Sequence, residues 1–397
     1  MSFSHLNRRG VIAAGLASAA LPRIAFASGL TDKRLVIVLL RGAMDGLTAA
    51  PAFGDPDYER ARNGIGTPRP GDGDGAALDL NGFFGLYPAL RGMHARYSKG
   101  ELVVFHAIAS PYRDRSHFDG QNLLENGSAA PFGLADGWAN RALEGLPDAM
   151  KSGRKDLGIA IAASMPLMMR GAAPVTSWSP SILPAPNVDL VARIKAMYDV
   201  GDPVLAKALS AAADANGAAA GSGQGSDAFA VLMGAAARFM KAPDGPCLAM
   251  VESAGWDTHA NQLGAFGVLS RNLAGLDQGI DALADGLGAK WSDTAVLIMT
   301  EFGRTVAMNG TRGTDHGTAG AAFLVGGAVK GGRVIADWPG LRPGDLYAGR
   351  DLKPTADLRS LMKAMLVEHL GVDSGHVERV VFPDSQGAPM TTGLFRT

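Results

Sequence analysis

Near-continuous apolar runs of strand length, separated by stretches of helical periodicity, set the architecture of this 397-residue chain. The runs cover residues 34–40, 102–108, 157–162, 247–251 and 294–299, with 321–325 and 333–335 extending the series. A strand with one solvated face alternates apolar and polar residues; these do not, which is the pattern of strands buried on both faces. Helical patterns fill the intervals over 87–98, 118–126, 138–146, 188–199, 203–214, 227–240, 261–287 and 355–370. Buried strands alternating with helices predict an α/β fold, a doubly wound three-layer sandwich around a mainly parallel sheet.

The N-terminus reads differently. Asn7-Arg8-Arg9-Gly10 precedes an apolar run over 11–21, followed by Ala25-Phe26-Ala27. A basic segment, a short apolar core and a small-residue site are the parts of a cleavable export signal. The run is about half of the roughly 20 residues that span a bilayer, so no permanent anchor is expected. Adjacent arginines and an Ala/Gly-rich core favour the twin-arginine (Tat) route: export of the folded protein by the Tat translocase, with cleavage after Ala27 and a periplasmic or secreted destination. The rest, 28–397, is expected to be one domain with surface insertions at 63–75 (rich in Gly, Pro and Asp) and 213–226 (rich in Ala, Gly and Ser). The formal charge is −1 with no run of like charge, which argues against nucleic acid and anionic membrane surfaces as partners. A lone cysteine, Cys247, precludes a disulfide within the chain.

In open α/β sheets, ligands bind beyond the carboxyl ends of the strands. The residues after each run are therefore informative. Arg41-Gly42-Ala43-Met44-Asp45-Gly46 follows the first, and Ser110 to Asp119, containing Arg113, Arg115, Ser116 and His117, follows the second. Gly255-Trp256-Asp257-Thr258-His259 lies beyond the run at 247–251, Thr300-Glu301-Phe302-Gly303-Arg304-Thr305 beyond that at 294–299, and Thr314-Asp315-His316-Gly317 further on. Three of the eight histidines fall in these loops. Carboxylate oxygens and neutral imidazoles are the ligands that hold zinc, manganese or iron. Each residue also has a structural reading: Asp45 and Ser116 as helix caps, Asp257 and His259 closing a turn, Glu301 paired with Arg304, Asp315-His316-Gly317 as a hairpin turn. His106, inside an apolar run, reads as a core histidine; His94, His369 and His376 lack acidic neighbours in motif spacing.

Together the arginine-pair signal, Arg-Gly-Ala-Met-Asp-Gly, Pro-Tyr-Arg-Asp-Arg-Ser-His-Phe, Gly-Trp-Asp-Thr-His, Thr-Glu-Phe-Gly-Arg-Thr and Thr-Asp-His-Gly resemble the DUF1501 family of exported bacterial proteins. That family is grouped with the alkaline phosphatase superfamily. The resemblance implies an alkaline phosphatase-like fold and a metal-dependent hydrolase or transferase acting on a small anionic phosphate or sulfate ester. It implies one or two divalent ions, zinc or manganese, and no nucleotide or organic cofactor. By position, Asp45 resembles the first-strand metal aspartate and Ser116 the nucleophile. Asp257, His259 and His316 resemble the ligands of one metal, and Glu301 stands where the superfamily has the Asp of an Asp-His pair. Arg113, Arg115 and Arg304 are candidate clamps for ester oxygens. Phe302 stands where the superfamily has a histidine, so a second ion would need His117 or Asp315. Neither Cys247 nor Ser116 lies in the Cys/Ser-x-Pro-x-Arg setting of sulfatases that mature a formylglycine. The competing expectation is a catalytically silent metalloprotein of the same fold, serving as a binding or assembly factor.

Overall fold

The computed structural model describes residues 32–71, 73, 75–180, 188–207, 209–210, 228–264 and 267–396. The expected signal and the insertion at 213–226 lie outside the described residues. In chain order the strands are β1 (Arg34–Leu40), β2 (Leu78–Asp79), β3 (Gly85–Leu86), β4 (Leu102–Ala109), β5 (Gly158–Ile161), β6 (Val175–Trp178), β7 (Leu248–Ser253), β8 (Thr294–Thr300), β9 (Gly320–Val325), β10 (Arg333–Ile335) and β11 (Ala356–Asp357). Nine form one sheet, ordered β10-β4-β9-β8-β1-β7-β5-β6 with β11 also on β4, while β2 and β3 make a separate ribbon. Every pairing in the large sheet is parallel except the two made by β9.

Both faces of the sheet are buried, as the unbroken apolar runs require. On β1, Leu35, Ile37 and Leu39 enter one core while Val36, Val38 and Leu40 enter the other. Each such side chain contributes about 1.5–3 kcal/mol by leaving water. Helices Trp138–Glu144 and Leu358–Ala364 cover the first face; Arg91–Ser98, Ala228–Lys241 and Val268–Leu287 cover the second.

Register brings the loops together. Leu40, the last residue of β1, pairs with Ser253 at the end of β7 and with Thr300 at the end of β8. The segments starting at 41, 254 and 301 therefore leave the sheet at one level. Because β9 runs antiparallel, its first residue, Gly320, lies opposite Ile108 near the end of β4. The amino end of β9 thus delivers 314–319 to the edge that the other strands reach with their carboxyl ends.

The sequence pattern and the structure differ in several places, among them the unexpected β2–β3 ribbon and the helix expected from 87, which begins at Arg91. Edge strand β6 was not expected; at four residues and half exposed, it carries too few apolar positions to show a period. The helix expected from 261 begins at Val268, because Gln262 is buried against Asp45 rather than lying on a helix face. The helix expected from 355 is preceded by β11 and runs into a π-helical turn, Met365–His369.

Candidate metal centre

Four side chains from three of these segments meet at the sheet edge. His117 is the first residue of the helix His117–Asn126, set by its N-cap: Ser116 Oγ accepts from the Asp119 amide at 3.4 Å. Asp257 and His259 follow β7, and His316 precedes β9. Glycines permit the approach. A β-carbon at Gly42 (φ 118°) would collide with the Trp256–Asp257 backbone, and one at Gly313 with the His259 carbonyl.

His117 Nε2 and His259 Nε2 each lie 3.0 Å from His316 Nε2. Asp257 Oδ1 is 3.3 Å from His316 Nε2 and 3.0 Å from His259 Nε2, and Oδ2 is 3.4 Å from His117 Nε2. One ligand atom from each of His117, Asp257 and His316 fits within a 4.8 Å group. Their side chains keep 25%, 41% and 27% of their surface exposed, so the group opens to solvent.

The other ring nitrogen of each histidine fixes its tautomer. His117 Nδ1 lies 2.8 Å from Glu301 Oε1, His259 Nδ1 3.2 Å from Asp315 Oδ1, and His316 Nδ1 2.9 Å from the Arg115 carbonyl. A carboxylate or carbonyl oxygen only accepts, so each Nδ1 carries a hydrogen, and in the neutral tautomer Nε2 is the lone-pair nitrogen. Three Nε2 atoms and a carboxylate within 3.0–3.4 Å of one another call for positive charge among them, which protons on Nε2 or a metal ion can supply. For ligands about 2.0–2.1 Å from zinc, the edge of a tetrahedral shell is about 3.3–3.4 Å. The His117–His316 and Asp257–His316 distances of 3.0 and 3.3 Å come near that edge, and the carboxylates and carbonyl behind the imidazoles are the usual outer shell of such an ion.

Charge balance supports the same grouping. Burial pushes the Asp257 carboxyl up, but the hydrogen bond and charge of Arg304, reinforced by His259 and His117, hold it below the usual carboxylate range. The hydrogen bond to Glu301 raises His117, whereas burial lowers His316. Glu301, fully buried, is pushed up by burial and brought lower by donors from His117, Gln121 and Thr300.

Several expected site residues stand elsewhere. Asp45 is not in the cluster: it caps the short helix Gly46–Ala49, and its Oδ2 accepts from Arg62 at 2.5 Å, Gln262 at 2.8 Å and Thr48 at 2.8 Å. Burial raises its carboxyl, but the Arg62 charge and these donors bring it lower. Glu301 and Asp315 sit behind imidazoles, and Glu301 does not pair with Arg304. Arg304, 2% exposed, donates to Asp257 Oδ1 at 2.6 Å and to the Thr314 carbonyl. Arg113 is turned onto the Ser110 and Tyr112 carbonyls, and Arg115 onto Asp351 at 2.7 Å, so neither is a free clamp. Ser116 is half-buried beside His117, and among the described residues its hydroxyl makes no hydrogen bond to a histidine or carboxylate. The four histidines set aside each bond a backbone carbonyl: His94 to Asp79, His106 to Ala50, His369 to Arg34 and His376 to Arg141. Sequence reasoning missed Gln121, Asn309 and Arg62. Gln121 had a signal, lying one helical turn after His117 and reaching the same Glu301 oxygen at 2.8 Å.

A mixed, mostly parallel sheet between two helical layers, with histidines and an aspartate converging at its edge, defines an α/β protein with a candidate transition-metal centre. The chain belongs to the family described as protein of unknown function DUF1501, whose model matches residues 111–381, well over half of its length. No curated protein sequence matches it. Among solved structures, the C-terminal periplasmic domain of EcEptC from Escherichia coli, in complex with Zn, is 10% identical over 74% of this chain and 73% of that one, with a TM-score of 0.36. The lipoteichoic acid synthase LtaP from Listeria monocytogenes is 12% identical over 74% and 65%, with a TM-score of 0.35. The phosphonate monoester hydrolase of Agrobacterium radiobacter is 13% identical over 86% and 74%, with a TM-score of 0.29. Among the described residues, no helix is long and apolar enough to cross a membrane.

Proposed function

We propose that this protein is an exported, metal-dependent, alkaline phosphatase-like enzyme that hydrolyses or transfers a phosphate or sulfate ester. His117, Asp257 and His316 hold one divalent ion, zinc or manganese, with His259 beside them. The observation that carries the reading is the convergence of three Nε2 atoms, each on a ring whose Nδ1 hydrogen is bound elsewhere, on one carboxylate. A divalent ion held there supplies Lewis acidity, lowering the pKa of a hydroxyl or water and offsetting charge on the ester oxygens. The chain's own groups do the positioning. Ser116 is the nucleophile, at the start of a ten-residue helix whose first-turn amides favour an anion. Arg304 fixes Asp257, while Glu301, Asp315 and the Arg115 carbonyl keep the imidazole hydrogens away from the centre.

Phe302 favours one ion over two. Its ring is 3% exposed, stacks on His117 with centroids 4.9 Å apart, and lies 5.4 Å from His316, so hydrocarbon fills that flank. It also gives weight to the silent metalloprotein. A screen of the metal-loaded protein against aryl phosphate, phosphodiester and aryl sulfate separates the two readings. Turnover that Ser116→Ala abolishes without loss of metal supports the enzyme; bound metal with no turnover of any ester class leaves a binding or assembly protein. The arginine-pair signal predicts that Arg8→Lys/Arg9→Lys keeps the protein in the cytoplasm, and unchanged export would contradict the Tat route.

A further inference from the structure

Beside the cluster lies a cavity of about 390 Å³, within the usual range for small-molecule sites of ~300–1,000 Å³. Much of its wall is hydrocarbon, including Val306, Met308, Leu341 and Leu346, with Arg60 and Arg350 also lining it. The cavity and the cluster are built from the same segments. Asp315 lines the cavity and accepts from His259 Nδ1 at 3.2 Å, and Thr305 lines it next to Arg304, which holds Asp257. Arg350 lines it too and donates to the carbonyl of His316 at 2.6 Å. Among the described residues, no histidine faces this space and its only carboxylate is Asp315. Its walls therefore suit recognition of hydrocarbon rather than chemistry.

We propose that this cavity binds the apolar alcohol portion, alkyl or aryl, of an anionic ester whose charged group sits at the histidine cluster. The assignment rests on the ester reading for the charged group and on the cavity alone for the apolar arm. Hydrocarbon walls bind an alkyl chain in proportion to the area withdrawn from water, so affinity rises roughly fourfold for each methylene buried. Arg350, paired with Asp351 at 2.9 Å, reaches from the cavity wall to the backbone of His316, where the arm would join the anion.

The test is calorimetric titration of the metal-loaded protein with methyl, butyl and octyl phosphate, and separately with 1-octanol. Affinity is expected to climb along the phosphate series. Ala307→Trp, at an exposed position on the cavity wall, is expected to flatten the series while leaving methyl phosphate binding and metal content at wild-type values. Met308→Trp, also on a partly exposed wall residue, gives the same readout should the first variant fold poorly. A flat series in the wild type, or a steep one in both folded variants, overturns the assignment. Octanol binding that the tryptophan variants remove, without binding of any phosphate, contradicts the ester reading and leaves an apolar site. Binding of neither octanol nor octyl phosphate removes the cavity's role.

Discussion

Asp45 and Asp257 follow adjacent strands, β1 and β7, and reach the same edge of the sheet, yet their surroundings are opposites. Asp45 is 1% exposed, and the chain supplies its counter-charge: Arg62 at 2.5 Å, with Gln262 and Thr48 completing the donors. Arg62 also donates to the Thr305 and Val306 carbonyls, so this closed network ties down the segment that carries Arg304. The Asp257 side chain is 41% exposed and faces the Nε2 atoms of three imidazoles. Arg304 satisfies one of its oxygens, but nothing in the described chain satisfies the three Nε2 atoms together. A carboxylate at a strand end is thus a structural anchor where donors of the chain close around it, and a candidate ligand where, as at Asp257, one guanidinium leaves it open to solvent among imidazoles.

The sharpest break between the two is Arg62→Ala. It strands Asp45 as an unpaired buried charge, a change that costs about 3–5 kcal/mol. Denaturant unfolding is expected to show that loss, with metal per folded molecule unchanged; a loss below about 1 kcal/mol would mean that Asp45 is not held by this pair. A smaller effect is expected behind the cluster. Glu301→Gln removes the carboxylate that fixes His117, and metal affinity should fall roughly 10–100-fold, the usual cost of losing an outer-shell partner. Asp315→Asn should cost less than that, since Asp315 is exposed and 3.2 Å from its histidine. Proton competition adds a second readout. Glu301 raises the His117 pKa, so in the wild type metal affinity should begin to fall at a higher pH on acidification than in Glu301→Gln. Coincident pH profiles would show that Glu301 does not act through His117.

Much of this was legible in the chain because strand burial and loop placement are local signals. Continuous apolar runs marked β1, β4, β7 and β8, and the loops that follow β4 and β7 contain three of the four side chains of the cluster, with His316 just before β9. What the sequence could not separate was ligand from anchor. Asp45 and Asp257 both sit beyond a strand next to glycine-containing turns, and the partner that distinguishes them, Arg62, lies in a segment with no motif. The sequence reads Glu301 equally as a ligand or as a partner of Arg304; in the structure Arg304 turns to Asp257 while Glu301 turns to His117. These choices depend on side-chain direction at the sheet edge, which one-dimensional spacing does not encode. The antiparallel β9 was equally silent, since a strand buried on both faces gives the same apolar run in either direction.

Elemental analysis of the protein purified without chelator, beside Asp257→Asn/His316→Ala, tests the cluster most directly. Stoichiometric transition metal in the wild type, lost in a double variant that keeps its fold, is the expected result. A wild-type protein that holds no metal even after reconstitution with zinc and with manganese would contradict it.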